Sequence, residues 1–123
     1  MSEANKKLIF VVTAAEESPE KATIPFVLGN TSLAMEAEPI IVLQMTGVYL
    51  GMKNYARHVH AAGFPPLQEL MDMYLDGGGL LYVCEPCIKA RQIAPEDLIP
   101  AARIVAGATL VEAFLNAQNV MVY

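Results

Sequence analysis

Apolar residues along this chain fall into short runs, and the runs alternate between two periods. Residues 8–12, Leu-Ile-Phe-Val-Val, are continuously apolar, which is the pattern of a strand covered on both faces. Ile40-Ile41-Val42-Leu43 and Leu80-Leu81-Tyr82-Val83 repeat it, Arg103-Ile104-Val105 does so more briefly, and residues 119–123 close the chain as a fifth such run. Between these runs the spacing becomes helical. Ser18-Pro19-Glu20 reads as a cap, a first-turn proline and an acid at the positive helix end, predicting a helix to about residue 37. Pro25 is then expected in or near its first turn, and Gly29 weakens its middle. Residues 67–75 follow Pro65-Pro66 and place Leu67, Leu70, Met71 and Tyr74 on one face. Residues 108–117 form another helix, with Leu110, Val111, Phe114 and Leu115 apolar. The segment 45–64 holds Gly47, Gly51 and Gly63, with a short helix expected within 48–60. Pro95-Glu96-Asp97 opens a further turn.

Strand and helix alternate throughout, so the expected fold is α/β: three layers, helices on both faces of a mostly parallel five-stranded sheet, Rossmann-like, with residues 1–123 as a single domain. In such sheets chemistry gathers beyond the carboxyl ends of the strands. Three segments meet there: the loop after Val12, the long segment after Leu43, and Cys84-Glu85-Pro86-Cys87. Gly77-Gly78-Gly79 invites a phosphate-loop reading, but it follows a helix and precedes a strand, whereas phosphate loops follow a strand and open a helix. It is a helix end and turn. The loop after Val12 has no glycine fingerprint and carries Glu16 and Glu17, read as a solvated acidic loop and a poor bed for a pyrophosphate.

Composition narrows the picture. Apolar residues make up 54% of the chain, above the usual ~45–50%, yet no run approaches the ~18 residues a membrane helix needs. A subunit interface is the simple place for the surplus. The net charge of −5, without a basic cluster, argues against nucleic acid. Lys6-Lys7 ahead of residues 8–15 imitates a secretion signal, but Glu3 precedes it and Glu16-Glu17 follow at once. A first strand in a cytoplasmic protein explains the segment better.

The candidate chemistry is the cysteine pair, which holds both cysteines of the chain. Cys84 ends a strand, and Pro86 suits the first turn of a helix. A thiol at a helix start is favoured as the thiolate, the nucleophilic form, by unpaired N–H groups and the helix dipole. Lys89 and Arg91 follow, and Lys53, Arg57, His58 and His60 lie in the long segment. If these cations gather at the thiols they stabilise the thiolate; otherwise they are ordinary surface groups. The pair also suits two inert buried cysteines. A zinc site from two Cys and two His requires the loop to fold over, and the His58–His60 spacing is not the usual one. Nothing in the sequence suggests a hydrolytic triad.

From end to end the chain resembles the DsrE/DsrF-like family. The resemblance rests on Pro19-Glu20-Lys21-Ala22, Thr46-Gly47-Val48-Tyr49-Leu50, Gly63-Phe64-Pro65-Pro66-Leu67-Gln68-Glu69-Leu70, and Tyr82-Val83-Cys84-Glu85-Pro86-Cys87 with Ala90-Arg91 and the Gly107-Ala108 helix. It implies a homotrimer or homohexamer that accepts sulfane sulfur as a cysteine persulfide and passes it on, with donor and acceptor proteins or small persulfides as partners and no cofactor or metal. Cys84 matches the working cysteine, Cys87 a second one found in only some members, Lys89 and Arg91 are expected to steady the thiolate, and Thr46, Lys53, Arg57 and His58 to line the site. Gln92 departs from the glycine that relatives often carry there. The alternative class is a structural or regulatory oligomer whose Cys-x-x-Cys senses redox state or binds metal.

Overall fold

The computed structural model describes residues 6–123; Glu3 lies outside them. The strands are β1 (Lys7–Val12), β2 (Glu38–Leu43), β3 (Leu80–Cys84), β4 (Ala102–Val105) and β5 (Asn119–Val122), and the helices are α1 (Pro19–Ala34), α2 (Leu67–Asp76), α3 (Glu85–Ala90) and α4 (Gly107–Leu115). The five strands form one sheet in the order β4-β3-β2-β1-β5. Every pairing is parallel, so the expected mostly parallel sheet is wholly so. Successive side chains of a strand point to opposite faces. Phe10, Val12, Ile41, Leu43, Leu81 and Val83 therefore build one core with the buried side chains of α1 and α2. Ile9, Val11, Ile40 and Val42 build a second core, whose buried helical partner is Leu110 of α4.

Tyr74 anchors the larger core. Its ring meets Phe26 edge-on at 5.7 Å, and its hydroxyl donates to Leu80 O at 2.6 Å and Pro39 O at 3.2 Å. Two glycines make room for it: a Cβ on Gly29 would lie 2.9 Å from the ring, and one on Gly79 only 2.3 Å. Gly29 thus does more than weaken α1, because it lets the helix close on the tyrosine. In the glycine triplet, Gly77 caps α2, Gly78 takes φ +93°, and Gly79 yields space to Tyr74.

Three expectations gain detail. α1 stops at Ala34 because Glu36 adopts φ +65°, which turns the chain towards β2. Pro25 lies in the second turn of α1, not the first; burial of Pro25 and Phe26 holds the helix through the missing N–H. The short helix expected within 48–60 takes the form of two 3₁₀ helices, Met45–Gly51, which begins just before it, and Ala56–His58. Asn54, at φ +66°, separates them, and the Met52–Leu98 bridge with the Lys53 N–H to Asp97 O bond ties the first to the loop before β4.

Candidate functional site

The carboxyl ends of β1, β2 and β3 deliver the three segments to one place. Gln44 continues β2 far enough to donate its N–H to Val12 O at 2.9 Å, and Gly47 N–H closes a turn on Gln44 O. Gly47 is wedged against β1: a Cβ there would stand 2.2 Å from Val12 O. Thr46 donates to Thr13 O at 3.2 Å and also hydrogen-bonds the Glu17 carboxylate. Held in this way, Met45 adopts φ +53°, a left-handed conformation that costs a non-glycine residue ~1–2 kcal/mol. Its N–H donates to Cys87 Sγ across 3.3 Å.

The cysteines come from the β3–α3 junction. Cys84 is the last residue of β3, paired with Val105, and Cys87 lies in the first turn of α3. Both thiols are free, and the Cys87 thiol donates to Cys84 Sγ at 2.7 Å. They differ in access. Cys84 is 8% exposed and belongs to the larger core, while Cys87 is half-buried. Burial and the adjacent Cys87 thiol push the Cys84 pKa up, and the Cys87 N–H and the Arg91 charge offset this only in part. The thiolate expected at Cys84 is therefore disfavoured. α3 has only six residues and begins with the acid Glu85, so its start gives little positive field.

Of the residues singled out in the sequence, Thr46, Cys84, Cys87 and Arg91 come together. Arg91 donates to Cys87 O at 3.1 Å and its charge reaches both Cys84 and Glu17. Lys89 is exposed and pairs with Glu85 at 3.9 Å. Lys53 is exposed beside a cavity of about 590 Å³ that Leu75 and Pro100 also line. Arg57 and His58 sit exposed on the second 3₁₀ turn, and His60 Nε2 bonds Phe64 O at 2.8 Å. The zinc arrangement weighed from the sequence is not assembled: among the described residues no three His, Cys, Asp or Glu side chains group as a metal centre.

Two participants escape a reading of the sequence. Glu17 is not simply solvated. Desolvation pushes its pKa up, but hydrogen bonds from Thr46 and the Ala15 N–H, with the Arg91 charge, outweigh it and hold the pKa below the usual value. Met45 acts through its backbone, which no side-chain pattern reveals. At the rim, Tyr55 OH donates to Glu16 at 3.3 Å and its ring stacks on Tyr49.

The chain combines a five-stranded parallel α/β fold with a free cysteine pair at the carboxyl edge of its sheet, and sequence comparison identifies its family. The chain belongs to the DsrE/DsrF-like family, matched over residues 6–123. It is 32% identical over 114 residues to the uncharacterized protein MJ0760 of Methanocaldococcus jannaschii, covering 93% of this chain but 41% of that protein. The chain thus spans about two-fifths of MJ0760. It is 28% identical to the uncharacterized protein MJ0989 of the same organism, over 95% of this chain and 99% of that one. The crystal structure of the ychN protein from E. coli superposes with a TM-score of 0.80 at 18% identity, covering 96% of this chain and 99% of that one. BT1422 from Bacteroides thetaiotaomicron, a conserved protein of unknown function, gives 0.70 at 16% identity, covering 100% and 99%. At such identities the structural likeness speaks for the fold alone. Among the described residues, no helix is long and apolar enough to cross a membrane.

Proposed function

We propose that this chain is a sulfur-trafficking protein, accepting sulfane sulfur as a persulfide on the Cys84–Cys87 pair and passing it to a partner thiol. The carrying observation is the pair itself: two free thiols 2.7 Å apart, one of them only half-buried, at the carboxyl edge of a DsrE/DsrF-like sheet. Uptake and release are thiol exchanges, in which a thiolate attacks a sulfane sulfur and a second thiolate leaves. Neither step requires a metal or an organic cofactor. The pair lies at the carboxyl end of β3, and the cavities of about 430 and 590 Å³ are lined by other residues, which suits a donor or acceptor thiol presented on another protein. Cytoplasmic residence fits thiols that work in the reduced state.

The working assembly in this reading is a homotrimer or homohexamer. Val111 and Leu115 of α4 and Val120 and Val122 of β5 are exposed on the thinner side of the sheet, where copies of the chain would cover them. A monomer in sedimentation velocity would sink that part.

The test is intact mass. Reduced protein incubated with a persulfide donor gains one sulfur atom per chain and loses it to an added acceptor thiol, and the Cys84→Ser, Cys87→Ser double variant gains none. If the wild type gains nothing while both thiols titrate as free, the sulfur reading fails. Bound metal in the purified protein would then favour the structural or regulatory class.

A further inference from the structure

We propose that Cys87 is the thiol that receives the sulfur, and that the peptide N–H of Met45 is the group that holds the charge on it. This rests on the sulfur-trafficking reading and concerns the order of events within the pair. The sequence position directly after a strand pointed to Cys84, but three structural observations favour its neighbour.

The first is access. An incoming persulfide has to approach along the axis of the bond it will break, so the attacking sulfur needs an open face. Cys84 is packed among the core side chains of β3 and α3, whereas Cys87 is partly open. The second is the donor at the reacting atom. Met45 N–H reaches Cys87 Sγ from the turn after β2, outside the cysteine motif, at 3.3 Å. A hydrogen bond to an ionised acceptor is roughly twice as strong as one between neutral groups, so this contact strengthens as charge collects on the sulfur.

The third is that the donor is held in a strained position. Met45 keeps φ +53°, and backbone outliers of this kind persist only where the surroundings over-determine them. Here they do. Gln44 is bonded to Val12 O, Gly47 is pressed against the same carbonyl, and Thr46 is tied to Thr13 O and Glu17. Each tie fixes one side of the Met45 peptide, so the N–H is aimed before any substrate arrives.

The chemistry balances without an outside oxidant or reductant. The Cys87 thiolate attacks the outer sulfur of a donor persulfide, R–S–SH. The bond between the donor's two sulfurs breaks, R–S⁻ departs with the electron pair, and Cys87 becomes Cys87–S–SH. In the outward step an acceptor thiolate R′–S⁻ attacks that terminal sulfur, forming R′–S–SH and returning Cys87 as a thiolate. Cys84 stays a thiol behind the reacting sulfur.

The experiment uses the full chain, glutathione persulfide as donor, and the single variants. Cys87→Ser is expected to slow sulfur uptake by about tenfold or more, and Cys84→Ser to slow it by clearly less. In the wild type, limiting iodoacetamide should label Cys87 before Cys84, which removes any dependence on the folding of a variant. The amide resonance of Met45 should move on sulfur uptake in the wild type and in Cys84→Ser. If uptake is lost in Cys84→Ser and kept in Cys87→Ser, the inference is overturned and the sulfur-trafficking reading stands. Uptake in both variants at similar rates also overturns it, and an unmoved Met45 resonance removes the backbone donor from the proposal. If the wild type takes up no sulfur, both readings fall together.

Discussion

The two ends of the sheet are built on opposite principles. At the amino ends of β2 and β3, Tyr74 closes the core: its ring fits against two glycines, and its hydroxyl is satisfied by the Pro39 and Leu80 carbonyls. At the carboxyl ends, a left-handed methionine, a half-open thiol and a hydrogen-bonded carboxylate are held together by loops. The first end buries polar atoms in order to fix the fold. The second keeps polar and reactive atoms near solvent, and it stores local strain that the first end helps the molecule to tolerate. Stability and chemistry are therefore separable here, and substitutions at the two ends should fall on different readouts.

The largest expected effect is at the amino end. Tyr74→Ala removes a fully buried ring and should cost about 3–5 kcal/mol in denaturant unfolding. The fraction that remains folded should take up sulfur normally, and impaired uptake per folded molecule would break the separation of the two ends. Tyr74→Phe keeps the ring and should cost about 1–2 kcal/mol. Burial raises the Tyr74 pKa above its ordinary value of 10.0. The folded protein therefore holds the phenolic proton more tightly than the unfolded chain does. That contribution is complete below the unfolded pKa and is lost as pH rises through the folded value. The wild type should lose stability in the alkaline range more steeply than Tyr74→Phe, as read from melting curves across pH; matching slopes would contradict this origin.

At the carboxyl end the signature reverses. Thr46→Val breaks the links to Thr13 and Glu17 and should change stability by about 1 kcal/mol or less. It should also slow sulfur uptake by about three- to tenfold as the Met45 turn loosens. Unchanged uptake would mean that the Thr46 ties do not position the site. The smallest effect is expected just beyond α3. Gln92 adopts φ +56°, a left-handed backbone conformation natural to glycine. Gln92→Gly should stabilise by up to about 1 kcal/mol by relieving the left-handed strain. A loss of stability would show that the Gln92 side chain contributes more than its strain costs.

Much of this could be read before any coordinates. The five runs became the five strands, and β1 and β2 are apolar without interruption where both of their faces are covered. The convergence of three loops at the carboxyl edge followed from parallel topology. The first-turn proline of α1 was legible as well, although the Ser18 side chain makes no cap bond. The weaker readings were those that needed neighbours. Pro25 in the second turn of α1 is tolerated because of what packs on it, and Gly29 is explained by a tyrosine 45 residues away in sequence.

By itself the sequence determined the alternation of strand and helix, the family, and the cysteine pair at a strand–helix junction. These depend on local period and on residue types in order, both of which are written along the chain. Only the tertiary structure decided how the two thiols differ. Burial of Cys84 depends on core side chains drawn from several elements, and the donor at Cys87 is a backbone N–H set by a turn wedged against β1. Desolvation and backbone direction are properties of a packed neighbourhood, and no spacing between residues encodes them.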